Sequence, residues 1–165
     1  GLDPLNSFLS LPILIHSKSK IEPTGIPSQS QQGKAAVFLL DSGMTSKTAP
    51  LVSIFLDNFE APAFRKIMKD EFIAISDRCI EHFLSGNIAS LFLDVKKLSS
   101  VVLQHFSPMI PKRFLSIWKK GLETNAYYLK LCGSGGGGYI LGFTQDLPKA
   151  KALLSDHKLE VVYTF

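Results

Sequence analysis

The sequence lacks the features that mark several common classes of protein. Its apolar runs, such as 11–15 and 37–40, are too short to cross a bilayer, and no charged segment followed by an apolar one suggests a secretory signal. We therefore expect neither a membrane partner nor a signal peptide. Cys79 and Cys132 are far apart in sequence, which predicts reduced, buried thiols in a cytoplasmic protein. The four histidines have no ligand-like spacing to each other or to the cysteines, which argues against a metal site.

Basic residues are in slight excess but are dispersed. The chain carries 18 Lys and Arg against 14 Asp and Glu, a formal charge of +4. The basic pairs 96–97, 112–113 and 119–120 each fall within an amphipathic helical pattern, which is typical of a solvated helix face. Nucleic-acid binding requires a clustered basic tract or an aromatic RNA-binding motif, and neither occurs, so we expect no nucleic-acid partner.

Hydrophobic periodicity predicts one α+β domain over residues 1–165. At 45% hydrophobic and 19% charged residues, a chain of 165 residues can bury a core. The patterns predict helices at 3–9, 48–58, 61–84, 88–106, 112–123 and 147–155, and strands at 11–16, 36–40, 127–132, 139–143 and 159–164. Residues 17–34 indicate an exposed loop or a loosely paired hairpin. This order is that of a ferredoxin-like split βαβ sandwich, an antiparallel sheet with helices on one face.

The long helix at 61–84 has the clearest pattern. Its apolar residues recur with spacings of three or four, which places one stripe along the helix. The stripe consists of Phe64, Met68, Phe72, Ile75, Cys79 and Phe83. Such a stripe is typical of a helix packed on a core rather than of a cofactor-binding segment.

The run Gly133, Ser134, Gly135, Gly136, Gly137, Gly138 is the most informative segment. It satisfies G-x-G-x-x-G, but a strand follows it, whereas a dinucleotide fingerprint opens a helix. A Walker A loop is also excluded, because no Gly-Lys-Ser or Gly-Lys-Thr closes the run. A hairpin turn needs only one or two residues with positive φ. The surplus of glycine indicates a backbone that approaches another group closely, a nest of amides for an anion, or an oversized mobile hairpin.

This run resembles the third conserved motif of the GHMP kinases, in which an apolar strand, a Gly-small-Gly-Gly-Gly loop and a second strand follow one another. The segment Lys130-Leu131-Cys132 supplies the first strand. Gly1-Leu2-Asp3 resembles the family's Ser-Gly-x-Asp segment. More loosely, 40–52, with Thr48, resembles the strand-to-helix segment of the mevalonate kinase branch. The three matches span the chain in the family's order, and only the glycine run is specific by itself.

The resemblance implies a C-terminal domain of an ATP-dependent kinase that phosphorylates a hydroxyl of a small alcohol, with mevalonate as the first candidate. Asp3 would orient or deprotonate that hydroxyl, although an N-cap role alone would also suit an Asp before Pro4. The glycine run would line the floor of the site near substrate and phosphates. Ser134 would add a hydroxyl donor, and Thr48 would lie near the acceptor's anionic group or only cap its helix.

The same resemblance implies parts that this sequence lacks. The family's nucleotide loop, Pro-x-x-x-Gly-Leu-Gly-Ser-Ser-Ala, does not occur, nor do the Lys that accompanies the catalytic Asp and the acidic residue that helps to hold magnesium. ATP and Mg²⁺ are therefore expected to bind mainly through an absent N-terminal part, and the fragment alone is expected to be inactive. The surface that would contact this absent N-terminal part could support a homodimer. The alternatives are a related phosphomevalonate kinase, sugar kinase or diphosphomevalonate decarboxylase, or a non-catalytic ligand- or partner-binding α+β module.

Overall fold

The computed structural model describes residues 12–17, 19–30, 32–45 and 48–165. The predicted helix at 3–9, and Asp3 with it, lies outside the described residues. The strands are β1 Ile13–Ser17, β2 Lys20–Pro23, β3 Ala36–Asp41, β4 Tyr128–Leu131, β5 Tyr139–Thr144 and β6 Leu159–Thr164. The α-helices are α1 Thr48–Phe59, α2 Pro62–Ile67, α3 Ala74–Leu84, α4 Ile88–His105, α5 Leu115–Thr124 and α6 Leu147–Leu153. A π-helical segment, Met68–Ile73, joins α2 to α3.

Four strands form one antiparallel sheet in the order β4-β5-β3-β6. Strand β3 lies inside and is hydrogen-bonded to both β5 and β6, while β4 and β6 form the edges. The inner strands are β3 and β5, the first and third of the four sheet strands along the chain. This order is that of a split βαβ arrangement. The predicted ferredoxin-like α+β class is therefore confirmed.

Helices cover one face of the sheet completely. Strand register places Phe38, Leu40 and Ile140 on this face, and none of them is more than 1% exposed. They belong to the same buried cluster as Trp118 of α5 and Ala150 of α6. Particular residues end these helices. Asp146 begins α6 as its N-cap by accepting the Lys149 amide, and Asn125 ends α5 in the left-handed conformation, with a φ of 51°.

Helix α4 closes the edge at β4 and carries an apolar stripe. Its residues Leu91, Val95, Leu98 and Val102, spaced three or four apart, are all buried. The Ser99 hydroxyl accepts the Leu129 amide of β4 at 3.2 Å, and the Ser99 carbonyl accepts the Trp118 indole N–H at 3.0 Å. An edge strand whose amide is taken up in this way is protected from pairing with another chain.

Helix α3 is fastened to α4 by a buried carboxylate. Asp94 is 5% exposed and accepts two hydrogen bonds from Arg78, at 2.9 and 3.2 Å. Lys97 lies 3.4 Å and His82 3.6 Å from its oxygens. Hydrogen bonding from Arg78 holds the pKa of Asp94 below its usual range. At its C-terminal end α3 reaches the other face of the sheet, where the Phe83 ring contacts Tyr163 edge-on.

One prediction from the sequence is wrong, and one open alternative is resolved. Cys132 is exposed, so the prediction that both cysteines are buried is wrong for it, whereas Cys79 is half-buried. Cys132 follows the last residue of β4, where the chain has already left the sheet. Residues 17–34 contain β2, which pairs with β1, so the paired-hairpin alternative is the correct one. None of the helices in the described ranges is long and apolar enough to cross a membrane.

Candidate functional site

The glycine run is clasped between two other segments of the chain. On one side, the Gly138 amide donates to the Met44 carbonyl and the Ser42 amide donates to the Gly138 carbonyl, both at 2.8 Å. On the other side, the Gly136 amide donates to the Met109 carbonyl at 2.6 Å. The β4–β5 loop is therefore fixed both to the loop after β3 and to the 3-10 turn that follows α4. The amides of Gly136 and Gly138 are engaged in this clasp.

The backbone of the run explains its composition. Gly133, Gly135, Gly136 and Gly138 all have positive φ, between 61° and 76°. A Cβ on Gly135 would lie 2.5 Å from the Met109 carbonyl oxygen, closer than side-chain atoms approach. Close approach of backbone to backbone is thus the observed reason for glycine at this position.

Two hydroxyls meet beside the loop. The Ser134 hydroxyl donates to Thr48 Oγ1 at 3.4 Å, although 86 residues separate them in sequence. Thr48 is the first residue of α1, a helix of 12 residues, and it is exposed. A helix N-terminus with adjacent hydroxyls favours a negative charge, such as a phosphate or carboxylate. The structure therefore brings together the predicted residues Thr48 and Ser134 with the glycine run.

The loop after β3 adds groups that the sequence analysis did not assign. Asp41 Oδ1 accepts the Gly43 amide at 2.7 Å, which stabilises the positive φ of 60° at Gly43. The buried Ser42 hydroxyl bonds both backbone groups of Met44. Nη2 of Arg113 lies 3.1 Å from the position that a Cβ of Gly43 would occupy. Arg113 was assigned to a solvated helix face, and only its position in the folded chain places a cation at this loop.

Among the described ranges, no group of three or more His, Cys, Asp or Glu side chains is arranged to hold a metal ion. The described part of the site consists of hydroxyls, backbone groups, one carboxylate engaged with Gly43 and one guanidinium. These groups suit an anionic ligand better than a metal cage. Asp3, the predicted catalytic residue, lies outside the described residues, so its position relative to Thr48 and Ser134 stays a prediction.

Comparisons with known proteins agree with this architecture at the level of the fold. No family model and no curated protein sequence matches the chain. Among solved structures, it is similar to L. major mevalonate kinase in complex with R-mevalonate, with a TM-score of 0.65 and 17% sequence identity. The match covers 87% of this chain and 43% of that kinase, so the chain spans less than half the length of the protein it matches. The chain thus has an α+β fold with an antiparallel sheet, similar to a domain of a GHMP-type kinase.

Proposed function

We propose that this chain supplies the acceptor-side part of an ATP-dependent kinase that phosphorylates a hydroxyl group, with mevalonate as the first candidate substrate. The observation that carries the proposal is the convergence of the glycine run, the loop after β3 and the N-terminus of α1. Three segments distant in sequence meet there and present hydroxyls and a helix N-terminus. The fold similarity to a kinase solved with R-mevalonate supports the same function.

Phosphoryl transfer requires positioning and neutralisation of charge more than covalent chemistry by the protein. The clasp at Met44 and Met109 fixes the loop through backbone hydrogen bonds, so little conformational entropy would be lost when a ligand binds. The hydroxyls of Thr48 and Ser134 would then donate to an anionic group of the acceptor or of ATP. Asp3 would accept the proton of the attacking hydroxyl, as the resemblance of its segment implies.

ATP and Mg²⁺ remain part of the proposal. When bound, Mg²⁺ neutralises charge on the phosphates of the nucleotide. The described residues offer it no carboxylate cluster, so we expect the groups that hold Mg²⁺, and most of those that hold ATP, to lie outside residues 12–165. We accordingly propose the activity for the full-length protein and expect no turnover from residues 1–165 alone.

The test is ADP release by the full-length protein with ATP, Mg²⁺ and mevalonate, in the original sequence and as Asp3→Asn. General-base assistance is worth about 10²–10⁴ in rate, so kcat should fall at least a hundredfold in the variant. Asp77→Asn, which changes an exposed carboxylate of α3, is the matched control and should leave kcat unchanged. Equal rates for the original sequence and Asp3→Asn would refute the catalytic role.

The choice of acceptor separates the alternatives. Turnover with a phosphorylated acceptor or a sugar, but not with mevalonate, would keep the kinase class and change the substrate. Thr48→Val and Ser134→Ala should raise KM for an anionic acceptor, since a hydrogen bond to a charged group contributes about 1.5–3 kcal/mol. No turnover with any acceptor would overturn the kinase proposal in favour of a non-catalytic binding module.

A further inference from the structure

A large apolar cavity lies between the sheet, helices α3 and α4, and the β1–β2 hairpin. Its volume of about 650 Å³ is within the range of pockets that bind small molecules. The sheet contributes Val37 and Leu141, α3 contributes Ile80, α4 contributes Val95 and the hairpin contributes Leu14. Val37 and Leu141 lie on the face of the sheet opposite Phe38. No residue of the glycine run lines this cavity.

Lys130 is the only charged residue among the described residues that line this cavity. It is half-buried, and its ammonium donates to the Leu131 carbonyl at 3.3 Å. An ammonium has three N–H donors, and no carboxylate of the described residues lies within 4.0 Å of this one. This ammonium therefore has donors available for an anion, and a charge-assisted hydrogen bond to an anionic head group would be stronger than its bond to a neutral carbonyl.

The neighbouring polar groups do not supply the negative charge. Burial raises the pKa of the Cys79 thiol to about 11, so Cys79 is neutral at pH 7. The Ser76 hydroxyl donates to the Phe72 carbonyl at 2.7 Å. Lys130 also lines a second cavity, of about 410 Å³, which extends to Met109 and Gly133. Lys130 is therefore shared by the large cavity and by the one that reaches Gly133.

We propose that this cavity binds an amphiphilic anion, with an apolar chain between the sheet and α3 and a carboxylate head group paired with Lys130. The apolar walls account for the chain, and the unpaired cation accounts for the sign of the head group. Each additional buried methylene should raise the affinity about fourfold, so the affinity should increase with the length of the apolar chain. Binding of this kind requires no kinase activity, so it stands or falls separately from the proposed function.

The test is calorimetric titration of the full-length protein with dodecanoate, dodecanol and dodecylammonium, each below its critical micelle concentration. Dodecanoate should bind with one saturable site and more tightly than the other two probes, and decanoate should bind about fifteenfold more weakly than dodecanoate. Lys130→Met should weaken dodecanoate at least tenfold and change dodecanol less than threefold. Lys119→Met, at an exposed lysine of α5 that does not line the cavity, should change neither.

A second variant guards against loss of folding. Ile80 is 43% exposed at the cavity, so Ile80→Asp should be tolerated and should weaken dodecanoate more than dodecylammonium. Methyl NMR shifts on adding dodecanoate should concentrate at Val37, Val95 and Leu141. The proposal is overturned if dodecanoate and dodecanol bind equally and Lys130→Met affects neither, if no saturable binding occurs, or if the shifts lie elsewhere.

Discussion

Replacing Gly135 with alanine should disrupt the clasp of the glycine run. At this position φ is +76°, which strains any residue with a Cβ, and the new methyl group would lie 2.5 Å from the Met109 carbonyl oxygen. That oxygen is part of the backbone and already accepts the Gly136 amide at 2.6 Å. The clash can be relieved only if the loop and the turn at Met109 move apart, which breaks this hydrogen bond.

Gly133→Ala provides a matched control for the magnitude. Its φ of +61° imposes similar strain, but a Cβ there meets no atom within 4 Å. Left-handed backbone costs a residue with a Cβ about 1–2 kcal/mol, which is the whole expected loss for Gly133→Ala. Gly135→Ala loses the same amount to strain, and also about 0.5–1.5 kcal/mol for the broken hydrogen bond and a further amount for the residual clash. The total expected loss in the free energy of unfolding is about 2–4 kcal/mol.

Urea unfolding and thermal unfolding of both variants measure the difference. We expect unchanged m-values, and a Tm for Gly135→Ala about 2–8 °C below that of Gly133→Ala. Amide hydrogen exchange at Gly136 should accelerate in Gly135→Ala and not in Gly133→Ala. Equal destabilisation of the two variants, with Gly136 exchange unaltered in both, would show that positive φ alone explains the glycines and that the contact with Met109 is unimportant.

Three further perturbations test the packing around the site. Asp94→Asn should lower the midpoint of urea unfolding at pH 7, because it removes the charge that pairs with Arg78. Arg78 lowers the pKa of Asp94, so the stability that the Asp94 carboxylate contributes is present above about pH 4 and is lost as the pH falls through its folded-state pKa. Iodoacetamide at pH 8 should modify exposed Cys132 in the folded chain, and Cys79, with a pKa of about 11, only after unfolding, as mass spectrometry would report. Ser99→Ala should cost about 1–3 kcal/mol in urea unfolding, because it leaves a buried amide of β4 without its acceptor.

The two substitutions each have a control within the chain. Asp77→Asn removes an exposed carboxylate from α3 and should leave the unfolding midpoint nearly unchanged at every pH. Ser100→Ala removes the neighbouring exposed hydroxyl, which bonds only within its own helix to Lys96, and should cost much less than Ser99→Ala. A loss for either control equal to that of its partner would contradict the role assigned to the buried group.

The order and bounds of the elements could be predicted because local patterns specify them. Within the described ranges, every predicted helix and strand has a counterpart whose ends differ by at most two residues. This count takes α2, the π-helical segment and α3 as one helix, and adds the 3-10 turn Lys112–Phe114 to α5. The π-helical segment was missed, although the stripe from Phe64 to Phe83 hints at it. That stripe takes 19 residues to make five turns, whereas an α-helix makes five in about 18. One extra residue is what a π-turn absorbs.

The contacts between distant segments could not be predicted in the same way. Cys132 was expected to be buried as the last residue of the predicted strand 127–132, but the strand ends at Leu131. Arg113 was assigned to solvent because an adjacent pair of basic residues gives no information about which loop lies nearby. Met109 contributes a carbonyl oxygen that any residue type would provide, so no side-chain pattern could identify it.

The candidate site shows why a residue motif can be recognised while its geometry is not. The glycine run is recognisable because its conformation excludes side chains, but its position depends on carbonyl oxygens at Met44 and Met109. Those same hydrogen bonds fix the loop that places Ser134 close to Thr48. The pair of hydroxyls is therefore positioned by the sheet and the clasp. Loss of the clasp should thus weaken anion binding even when both hydroxyls are retained, so Gly135→Ala should raise KM for an anionic acceptor as Ser134→Ala does.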